Sequence, residues 1–448
     1  MVNWTKNTNS AILKFHSEPS QKIIYSFENN KLLISLLLDE KKDLTPKKIK
    51  ETVAKGVKLL DSLKVNNIDI ELNDTLADNY LEVITGAELG VYRYKGYHQV
   101  DKTTTINLSL VSDNLNQLKL DTAKTVVQGM VLTRNWANTP GNLLTPKIFA
   151  EEIKSTLTDV DCTVEIFAKD KIAALKMNLI SAIGNSSANS PKFVVAKYVG
   201  NPSCNKTIGL VGKGITVDTG GYNLKTADGL KYTKDDMSGA ATVAGALYSI
   251  AKNKLKVNVT AIMPLCENRL SNSSLIPGDV ITSMNGKTVE ILNTDAEGRL
   301  ILADALTYAV RIEKVTEIID LATLTGAIVR TFGSVYTGGF TNNNKLFKEI
   351  NDSARAVGEK IWRLPIDDEY RAMIKSKVAD IQNIGAVNAG SITAAAFLEE
   401  FVENTPWVHL DIAGTNFSTS KISEYELFGA TGALVPTLYK YAESKSQA

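Results

Sequence analysis

The sequence predicts an α/β protein of two domains: a smaller N-terminal α/β domain and a larger C-terminal domain with a mostly parallel sheet flanked by helices. Three observations support this. The chain has 448 residues, more than one ordinary hydrophobic core accommodates. Strand-like and helix-like segments alternate through most of it, which is typical of a parallel sheet covered on both faces. A breaker cluster, NTPGN at 138–142, separates two such regions. We therefore predict domains at 1–120 and 146–448, joined by a linker helix and connection at 121–145.

The elements of the N-terminal domain follow from the spacing of apolar residues. A continuous apolar run predicts a buried strand at 31–38, and alternation predicts strands at 67–72 and 104–111. Helical spacing predicts helices at 45–63, which opens with Thr-Pro, and at 76–89. No catalytic constellation is visible in this domain.

The C-terminal region repeats the same alternation over a longer stretch. A helical pattern at 120–137 leads into it. Further helices are predicted at 238–251, 299–312, 346–358 and 393–402. Strands are predicted at 163–167, 193–198, 207–211, 257–264, 317–321 and 408–412.

Composition excludes several classes of protein. A hydrophobic content of 44% with 22% charged residues is typical of a soluble globular protein, and the net charge of +1 gives no general support for a nucleic-acid or acidic-membrane partner. Three cysteines make no disulfide framework, which favours a reducing compartment. No signal-peptide pattern and no apolar run of about 20 residues is visible. We therefore expect a cytoplasmic protein without a membrane span.

The segment NTDAEGRL at 293–300 is the first candidate site. It places Asp295 and Glu297 on a turn just before a predicted helix, at what we expect to be the C-terminal end of a strand. Ligands of open α/β sheets bind at that edge. An isolated D-x-E turn is more often a solvated acidic turn, so this interpretation depends on a second segment.

That second segment is VGKGITVDTGGYNLK at 211–225, which follows the predicted strand 207–211. It lacks both glycine-loop patterns that cradle phosphates, so a nucleotide site is not favoured. It offers Lys213, Asp218 and Lys225 instead, and Asp235 and Asp236 follow just before a glycine- and alanine-rich helix.

Four acids would then share one sheet edge: Asp218, Asp236, Asp295 and Glu297. Bringing them together without cations is costly, and two divalent metals would remove that cost. One lysine can act as a metal ligand if burial beside the metal makes it a neutral amine, while the other stays protonated and faces charge on a substrate. Only three histidines occur, without zinc-type spacing, so a histidine-built site is not expected.

The chain resembles the leucyl aminopeptidase (cytosol aminopeptidase) family of dinuclear metallopeptidases. NTDAEGRL, the 211–225 loop and Asp236-Met237 match that family in order and spacing. Further matches cover roughly residues 120–440 and include NTP at 138–140, PGD at 277–279, DLATLTG at 320–326, WRLP at 362–365 and WVHLDIAG at 407–414.

The resemblance implies a role for each matching residue. Lys213 and Asp236 would bind one metal, Asp295 the other, and Asp218 and Glu297 both. Lys225 and Arg299 would be the catalytic pair. Bicarbonate, as general base, would be held by Ala296, Gly298, Arg299 and Leu324. The implied substrate-binding residues are Asp236, Thr233, Lys225, Thr323, Leu324 and Gly326.

The implied function is hydrolysis of the N-terminal residue of a peptide, with a leucine-like, apolar preference, through a water activated by two metals. The metals would be zinc or manganese, with magnesium or cobalt accepted at the looser site. A homohexamer is the implied assembly. Two alternatives remain: a family member with an added DNA-binding or regulatory role, for which 46–50 (PKKIK) is a candidate basic patch, and a dinuclear phosphoesterase, which lacks the usual histidines.

Some positions depart from the family pattern. Thr233 aligns with a methionine that lines the pocket for the first side chain, Ser238 with a glycine, and Ile276 with a basic residue. These departures affect the expected side-chain preference and leave the ligand set intact. Of the two adjacent acids, spacing selects Asp236 as the ligand, and we expect Asp235 to act near the N-terminus of the following helix, as a cap or through the helix dipole.

Overall fold

The computed structural model describes residues 2–5, 11–17, 22–28, 31–38, 44–74, 76–97 and 105–446. It confirms the α/β class. Two compact units are present: Met1–Val131 with Ala356–Gly358 and Ser418–Gly429, and Leu132–Arg355 with Glu359–Phe417 and Ala430–Ala448. The division falls inside the helix that we expected to act as a linker. The domain limits 1–120 and 146–448 stay a prediction.

The first unit is built on a six-stranded sheet of order β1-β6-β5-β2-β4-β3. Its pairs are parallel except β3 with β4. The elements are β1 (Val2–Trp4), β2 (Ala11–His16), β3 (Ile23–Glu28), β4 (Lys31–Leu37), α1 (Pro46–Ser62), β5 (Asn67–Glu71), α2 (Tyr80–Gly90), β6 (Ile106–Val111) and α3 (Gln117–Asn138), the last of which continues into the second unit.

The basic run at 46–50 forms the first turns of α1. The hydroxyl of Thr45 accepts a hydrogen bond from the Lys48 N–H at 3.3 Å, and Pro46 occupies the first turn, as the Thr-Pro signal predicts. Lys50 is buried, and its Nζ donates to the Val357 carbonyl at 2.6 Å. The run is therefore not a continuous exposed basic surface.

The second unit contains a nine-stranded sheet of order β16-β15-β18-β14-β9-β11-β8-β7, with β10 beside β11. The strands that follow α3 in the chain are β7 (Thr163–Phe167), β8 (Lys192–Val199), β9 (Ile208–Gly212), β10 (Gly214–Asp218), β11 (Asn258–Asn268), β12 (Val280–Thr282), β13 (Thr288–Glu290), β14 (Glu317–Ala322), β15 (Thr337–Thr341), β16 (Ile361–Arg363), β17 (Ile381–Gln382), β18 (Trp407–Asp411), β19 (Phe417–Ser418) and β20 (Gly429–Ala430). β12, β13 and β17 form a separate small sheet, and β19 pairs with β20.

The helices between these strands are α4 (Pro146–Thr158), α5 (Lys169–Ala174), α6 (Asn178–Gly184), α7 (Ser238–Lys252), α8 (Gly298–Arg311), α9 (Gly326–Phe332), α10 (Asn344–Ala356), α11 (Asp368–Ala372), α12 (Gly390–Glu399) and α13 (Val435–Ser446). The centre of the sheet is parallel, because β18, β14, β9, β11 and β10 all run in one direction. β9, β10, β11 and β18 are buried along their whole length, as near-continuous apolar runs predict.

Helix α7 begins directly against the ends of two central strands. A Cβ on Gly239 would lie 2.2 Å from the Leu321 carbonyl oxygen and 2.8 Å from the Lys213 nitrogen. No larger residue fits there without displacing backbone. This contact fixes the start of α7 beside the residues that follow β9 and β14.

The structure differs from the sequence-based predictions in two respects. Several strands were not predicted, among them β1, β2 and β3 in the first sheet and β15 and β16 at one edge of the large sheet. The strand that precedes the NTDAEGRL segment is β13, which belongs to the small sheet rather than to the large one. Among the described residues, no helix combines the length and the apolar character required to cross a membrane.

Candidate metal centre

The predicted acidic residues converge at the carboxyl edge of the parallel strands. Lys213 directly follows β9 and Asp218 ends β10, while Asp236 lies in a short 3₁₀ turn, Asp235–Met237, just before α7. Asp295 and Glu297 lie on the turn before α8. Since β9 and β10 both run parallel to β11, their ends meet at one edge, and the loops deliver the remaining acids there.

Three of the four acids form a compact group. One carboxylate oxygen from each of Asp218, Asp236 and Glu297 lies within 4.8 Å of the others. Asp295 is not part of this group, and its side chain is 32% exposed. Asp295 is connected to the group through Lys225, which contacts both Asp295 and Asp218.

Both predicted lysines lie between the carboxylates. Lys213 Nζ is 2.7 Å from Asp236 Oδ1 and 2.9 Å from Glu297 Oε1. Lys225 Nζ is 2.7 Å from Asp218 Oδ2 and 2.5 Å from Asp295 Oδ1. Their environments differ, because the Lys213 side chain is 4% exposed and that of Lys225 is 25% exposed.

Burial, together with neighbouring charges, shifts the pKa values of the acids in this group. Burial, and then the neighbouring Glu297, raise the pKa of Asp218 to about 6. Burial also raises the pKa of Asp236 well above its ordinary value, although Lys213 opposes the rise. Burial alone would raise the pKa of Glu297 too, but Lys213 and Lys225 bring it below its ordinary value. Burial and the neighbouring acids thus disfavour the charged forms of Asp218 and Asp236, and a bound cation would favour them.

The donor set fits divalent cations. Carboxylate oxygens and a neutral amine are hard ligands suited to such ions. Asp236 Oδ2 is buried and has no hydrogen-bond partner within the described residues, which is costly for a carboxylate unless a cation faces it. Burial alone would lower the pKa of Lys213, but Asp236 and Glu297 raise it. A metal would therefore have to displace the proton of Lys213 for that lysine to become a ligand.

Arg299 is buried on the first turn of α8 and has spare donor capacity. One Nη donates to the Asn383 carbonyl at 2.8 Å, while Nε is buried without a partner in the described part of the chain. Burial lowers the pKa of Arg299 to about 10, with Glu297 and Asp411 opposing the change. The first N–H groups of α8, on Gly298 and Arg299, have no acceptor within their own helix. This arrangement fits a small anion such as bicarbonate.

The loop after β14 carries three of the predicted substrate-binding residues. Thr323 Oγ1 donates to Asp236 Oδ1 at 2.7 Å, and the Thr323 carbonyl accepts from Lys213 Nζ at 2.9 Å. The Leu324 N–H donates to Asp411 Oδ1 at 3.1 Å, so a different atom of Leu324 would have to contact an anion. Gly326 begins α9.

The remaining predicted site residues lie in the same loops. A Cβ on Gly298 would be 2.5 Å from Lys213 Cε, so the glycine lets the lysine side chain pass beneath α8. Ala296, between Asp295 and Glu297, is buried. The Thr233 carbonyl accepts from the Asp218 N–H at 3.2 Å, which connects the loop of Thr233 to the acidic group.

Asp235 does not form the expected cap, while the alternative, an interaction with the dipole of α7, stays a prediction. Met237 occupies the N-cap position of α7, and its side chain makes no capping hydrogen bond. Asp235 Oδ2 instead accepts from Asn416 Nδ2 at 3.0 Å, and the same amide donates to Ser238 Oγ at 3.1 Å. The 3₁₀ turn at 235–237 directs Asp235 to Asn416, a partner that is distant in sequence. Asp236 faces Lys213 as predicted.

Sequence reasoning missed three polar residues that connect the site loops. Thr294 Oγ1 donates to the Gly220 carbonyl at 2.6 Å, and the Thr294 N–H donates to Asn223 Oδ1 at 2.9 Å. Asn268 Nδ2 donates to Asp218 Oδ1 at 2.9 Å. Their positions in the sequence could have indicated them, because Thr294 and Asn223 lie within the two motif segments and Asn268 ends a buried strand.

Comparison with known proteins gives a consistent result. The family described as "Cytosol aminopeptidase family, catalytic domain" matches residues 131–439. A "Probable cytosol aminopeptidase" of Clostridium perfringens (strain 13 / Type A) is 40% identical over 431 residues, 93% of this chain and 87% of the relative. One of Burkholderia mallei (strain SAVP1), with the same description, is 44% identical over 340 residues, 76% of this chain and 66% of the relative.

Solved structures include a close match in fold. The "Bottromycin maturation enzyme BotP" is 27% identical in sequence with a TM-score of 0.90, covering 98% of this chain and 100% of the other. A second structure, described as the same enzyme in complex with Mn, has the same identity and TM-score, covering 98% of this chain and 99% of the other.

Substitution of the adjacent acids tests the geometry of the 3₁₀ turn. We expect Asp236→Asn to lower metal binding and abolish activity, because a neutral amide is a poor replacement beside divalent cations. Asp235→Asn should keep metal stoichiometry and most activity, because its partner is the Asn416 amide rather than a lysine of the acidic group. Metal content of the purified variants and their turnover are the measurements. An inactive Asp235→Asn beside an active Asp236→Asn would reverse the assignment.

Proposed function

Because this chain belongs to the cytosol aminopeptidase family, we propose that it is a metal-dependent aminopeptidase that uses two divalent cations to remove the N-terminal residue of peptides, with a preference for leucine-like, apolar residues. The observation that carries the proposal is the group of Asp218, Asp236 and Glu297, whose oxygens lie within 4.8 Å of one another at the carboxyl edge of the sheet.

We propose that Lys213 and all four acids hold the cations, with Asp218 and Glu297 shared between them. Divalent cations bound there supply Lewis acidity and lower the pKa of water enough to make it a nucleophile at neutral pH. Zinc or manganese is the proposed metal, with magnesium or cobalt at the looser site. Manganese is supported by the solved structure of BotP in complex with Mn, because BotP shares the fold of this chain.

The two lysines have different surroundings, which supports different roles. Lys213 is almost fully buried between Asp236, Glu297 and the Thr323 carbonyl, a position suited to a ligand. Lys225 is partly exposed, and burial is outweighed by Asp218 and Asp295, which raise its pKa. We propose that Lys225 stays protonated and stabilises negative charge that develops on the scissile carbonyl oxygen.

We propose that Arg299 holds a small anion, bicarbonate, as the general base. The Nε of Arg299, which has no partner among the described residues, and the first N–H groups of α8, which have no acceptor within their own helix, support this proposal because both are donors. Asp236 Oδ2, which also has no hydrogen-bond partner in the described part of the chain, is suited to face a cationic group, including the amine of a substrate N-terminus.

The proposed side-chain pocket includes Thr233, Thr323, Leu324 and Gly326. Threonine is smaller and more polar than methionine, so the pocket should be roomier and more polar at Thr233. We expect a graded preference among apolar residues, because a changed methylene contact is worth only about 1–3 kcal/mol.

The descriptions of the relatives as cytosol aminopeptidases and the cysteine content support a cytoplasmic location.

Hydrolysis of leucine p-nitroanilide tests the proposed function. We expect turnover of this substrate, loss of turnover after treatment with a chelator, and recovery on adding zinc or manganese. N-acetyl-leucine p-nitroanilide should not be cleaved, because the reaction requires a free amine.

Equal cleavage of the acetylated substrate, or activity that resists chelation, would contradict the proposal. Bis(p-nitrophenyl) phosphate serves as the comparison substrate, since preferential turnover of it would favour the phosphoesterase alternative.

Substitution of each lysine tests their separate roles. Lys225→Ala should keep the metals and lose about 10²–10³ in kcat, the usual effect of removing one preorganised donor from an oxyanion site. Lys213→Ala should lower metal content as well as activity. Measuring metal content together with kcat distinguishes a metal ligand from a residue that stabilises charge on the substrate. Loss of metal from Lys225→Ala would show that Lys225 is a ligand.

We also propose a homohexamer, supported by the resemblance to the family. Light scattering of the purified protein should give about six times the chain mass of 48.7 kDa. A mass equal to that of one chain at micromolar concentration would overturn this assembly.

A further inference from the structure

Strand β11 carries a buried asparagine at each end, and the two make very different contacts. Asn258, at the start of the strand, donates through Nδ2 to three backbone carbonyls, those of Asn201, Cys204 and Lys206. Asn268, at the end of the strand, lies at the candidate metal centre. The two asparagines therefore form a natural comparison within one element.

The Asn268 amide contacts both of the carboxylates proposed to be shared between the cations. Its Nδ2 is 2.9 Å from Asp218 Oδ1, 3.4 Å from Glu297 Oε2 and 3.0 Å from the Thr294 carbonyl. All three partners are acceptors only, so the nitrogen of the amide must face them. The reverse orientation would place an oxygen against two carboxylates.

The other oxygen of each of these two carboxylates contacts a lysine ammonium group. Asp218 Oδ2 contacts Lys225 Nζ at 2.7 Å, and Glu297 Oε1 contacts Lys213 Nζ at 2.9 Å. The Gly220 N–H adds a second donor to Asp218 Oδ1 at 3.0 Å. Each carboxylate thus has one oxygen turned to neutral N–H donors and the other turned to positive charge.

We infer that Asn268 is a positioning residue that sets the orientation of the Asp218 and Glu297 carboxylate groups. In this orientation, Asp218 Oδ2 and Glu297 Oε1 face the proposed metal positions. This inference rests on the proposed function. A neutral amide suits the task because it donates to two anions without adding a charge that would compete with metals. A lysine or arginine at this position would remain as a fixed cation inside the site.

The position of Asn268 on the sheet makes the restraint rigid. The residue is 3% exposed and belongs to a strand that is buried throughout. Its carbonyl also accepts from the Thr219 N–H at 2.9 Å, which ties the loop after Asp218 to the end of β11. Partners that hold metal-ligating carboxylates typically contribute a factor of about 10–100 in metal affinity or activity.

The test measures metal affinity rather than activity. Zn²⁺ or Mn²⁺ is titrated into metal-stripped full-length protein by calorimetry, for the wild type, Asn268→Ala, Asn268→Ser and Asn258→Ala. We expect Asn268→Ala to weaken binding about 10–100-fold. Asn268→Ser should lie between it and the wild type, because one hydroxyl cannot donate to both carboxylates.

Asn258→Ala is the matched control, since it makes the same change at the other end of the same strand. It should lower the unfolding temperature of the metal-stripped protein and leave metal affinity unchanged. Asn268→Ser keeps a polar group in the buried position, so it supplies the result if the alanine variant does not fold.

Two outcomes would overturn the inference alone: wild-type metal affinity in both Asn268 variants, or equal weakening in Asn258→Ala. A wild-type protein that binds neither Zn²⁺ nor Mn²⁺ would overturn the proposed function, and the inference with it. The two failures are therefore distinguishable in a single set of titrations.

Discussion

Repulsion between carboxylates at one sheet edge is the constraint on which the larger unit depends. Asp218, Asp236 and Glu297 lie closer together than buried anions can without compensation. The two lysines provide part of that compensation, and each joins acids from different loops. Lys213 connects the turn before α7 to the turn before α8, while Lys225 connects the end of β10 to Asp295. The two lysine side chains thus connect segments that are distant in sequence.

A second set of hydrogen bonds, donated by neutral side chains and backbone N–H groups, fixes the same loops. Thr294 and Asn223 join the 219–225 loop to the NTDAEGRL turn through two reciprocal hydrogen bonds, since the Asn223 N–H also donates to Thr294 Oγ1 at 2.9 Å. Thr323 and Asp411 hold the loop after β14 in place. The donors of these hydrogen bonds are neutral, so none of them adds a charge that would compete with a bound cation. They can therefore keep the carboxylates in position while a metal is bound or exchanged, which is the meaning of preorganisation at such a site.

The sequence predicted what periodicity and loop motifs encode locally. The apolar runs that became β4, β7 and β14 were placed within a residue or two, and Lys213, Asp218 and Asp236 were brought together as expected. The polar partners were harder to predict, because a hydrogen bond between Asp235 and Asn416 joins residues 181 positions apart. The identity of the strand before Asp295 also depended on tertiary pairing: β13 has only three residues and lies between β12 and β17 in the small sheet.

The position of Ser238 shows how a departure from the family pattern can be absorbed by the structure. A serine hydroxyl at the buried start of a helix must find partners, because an unsatisfied polar group there is costly. Ser238 Oγ donates to the Asp235 carbonyl at 2.6 Å and accepts from Asn416 Nδ2 at 3.1 Å. Since the Asn416 amide also holds Asp235, the serine adds a third contact to the turn that presents Asp236 to Lys213. The serine at position 238 therefore stabilises the backbone beside the acidic group and leaves the group itself unchanged. Differences in substrate specificity are better sought at Thr233, whose carbonyl accepts a hydrogen bond from the Asp218 N–H.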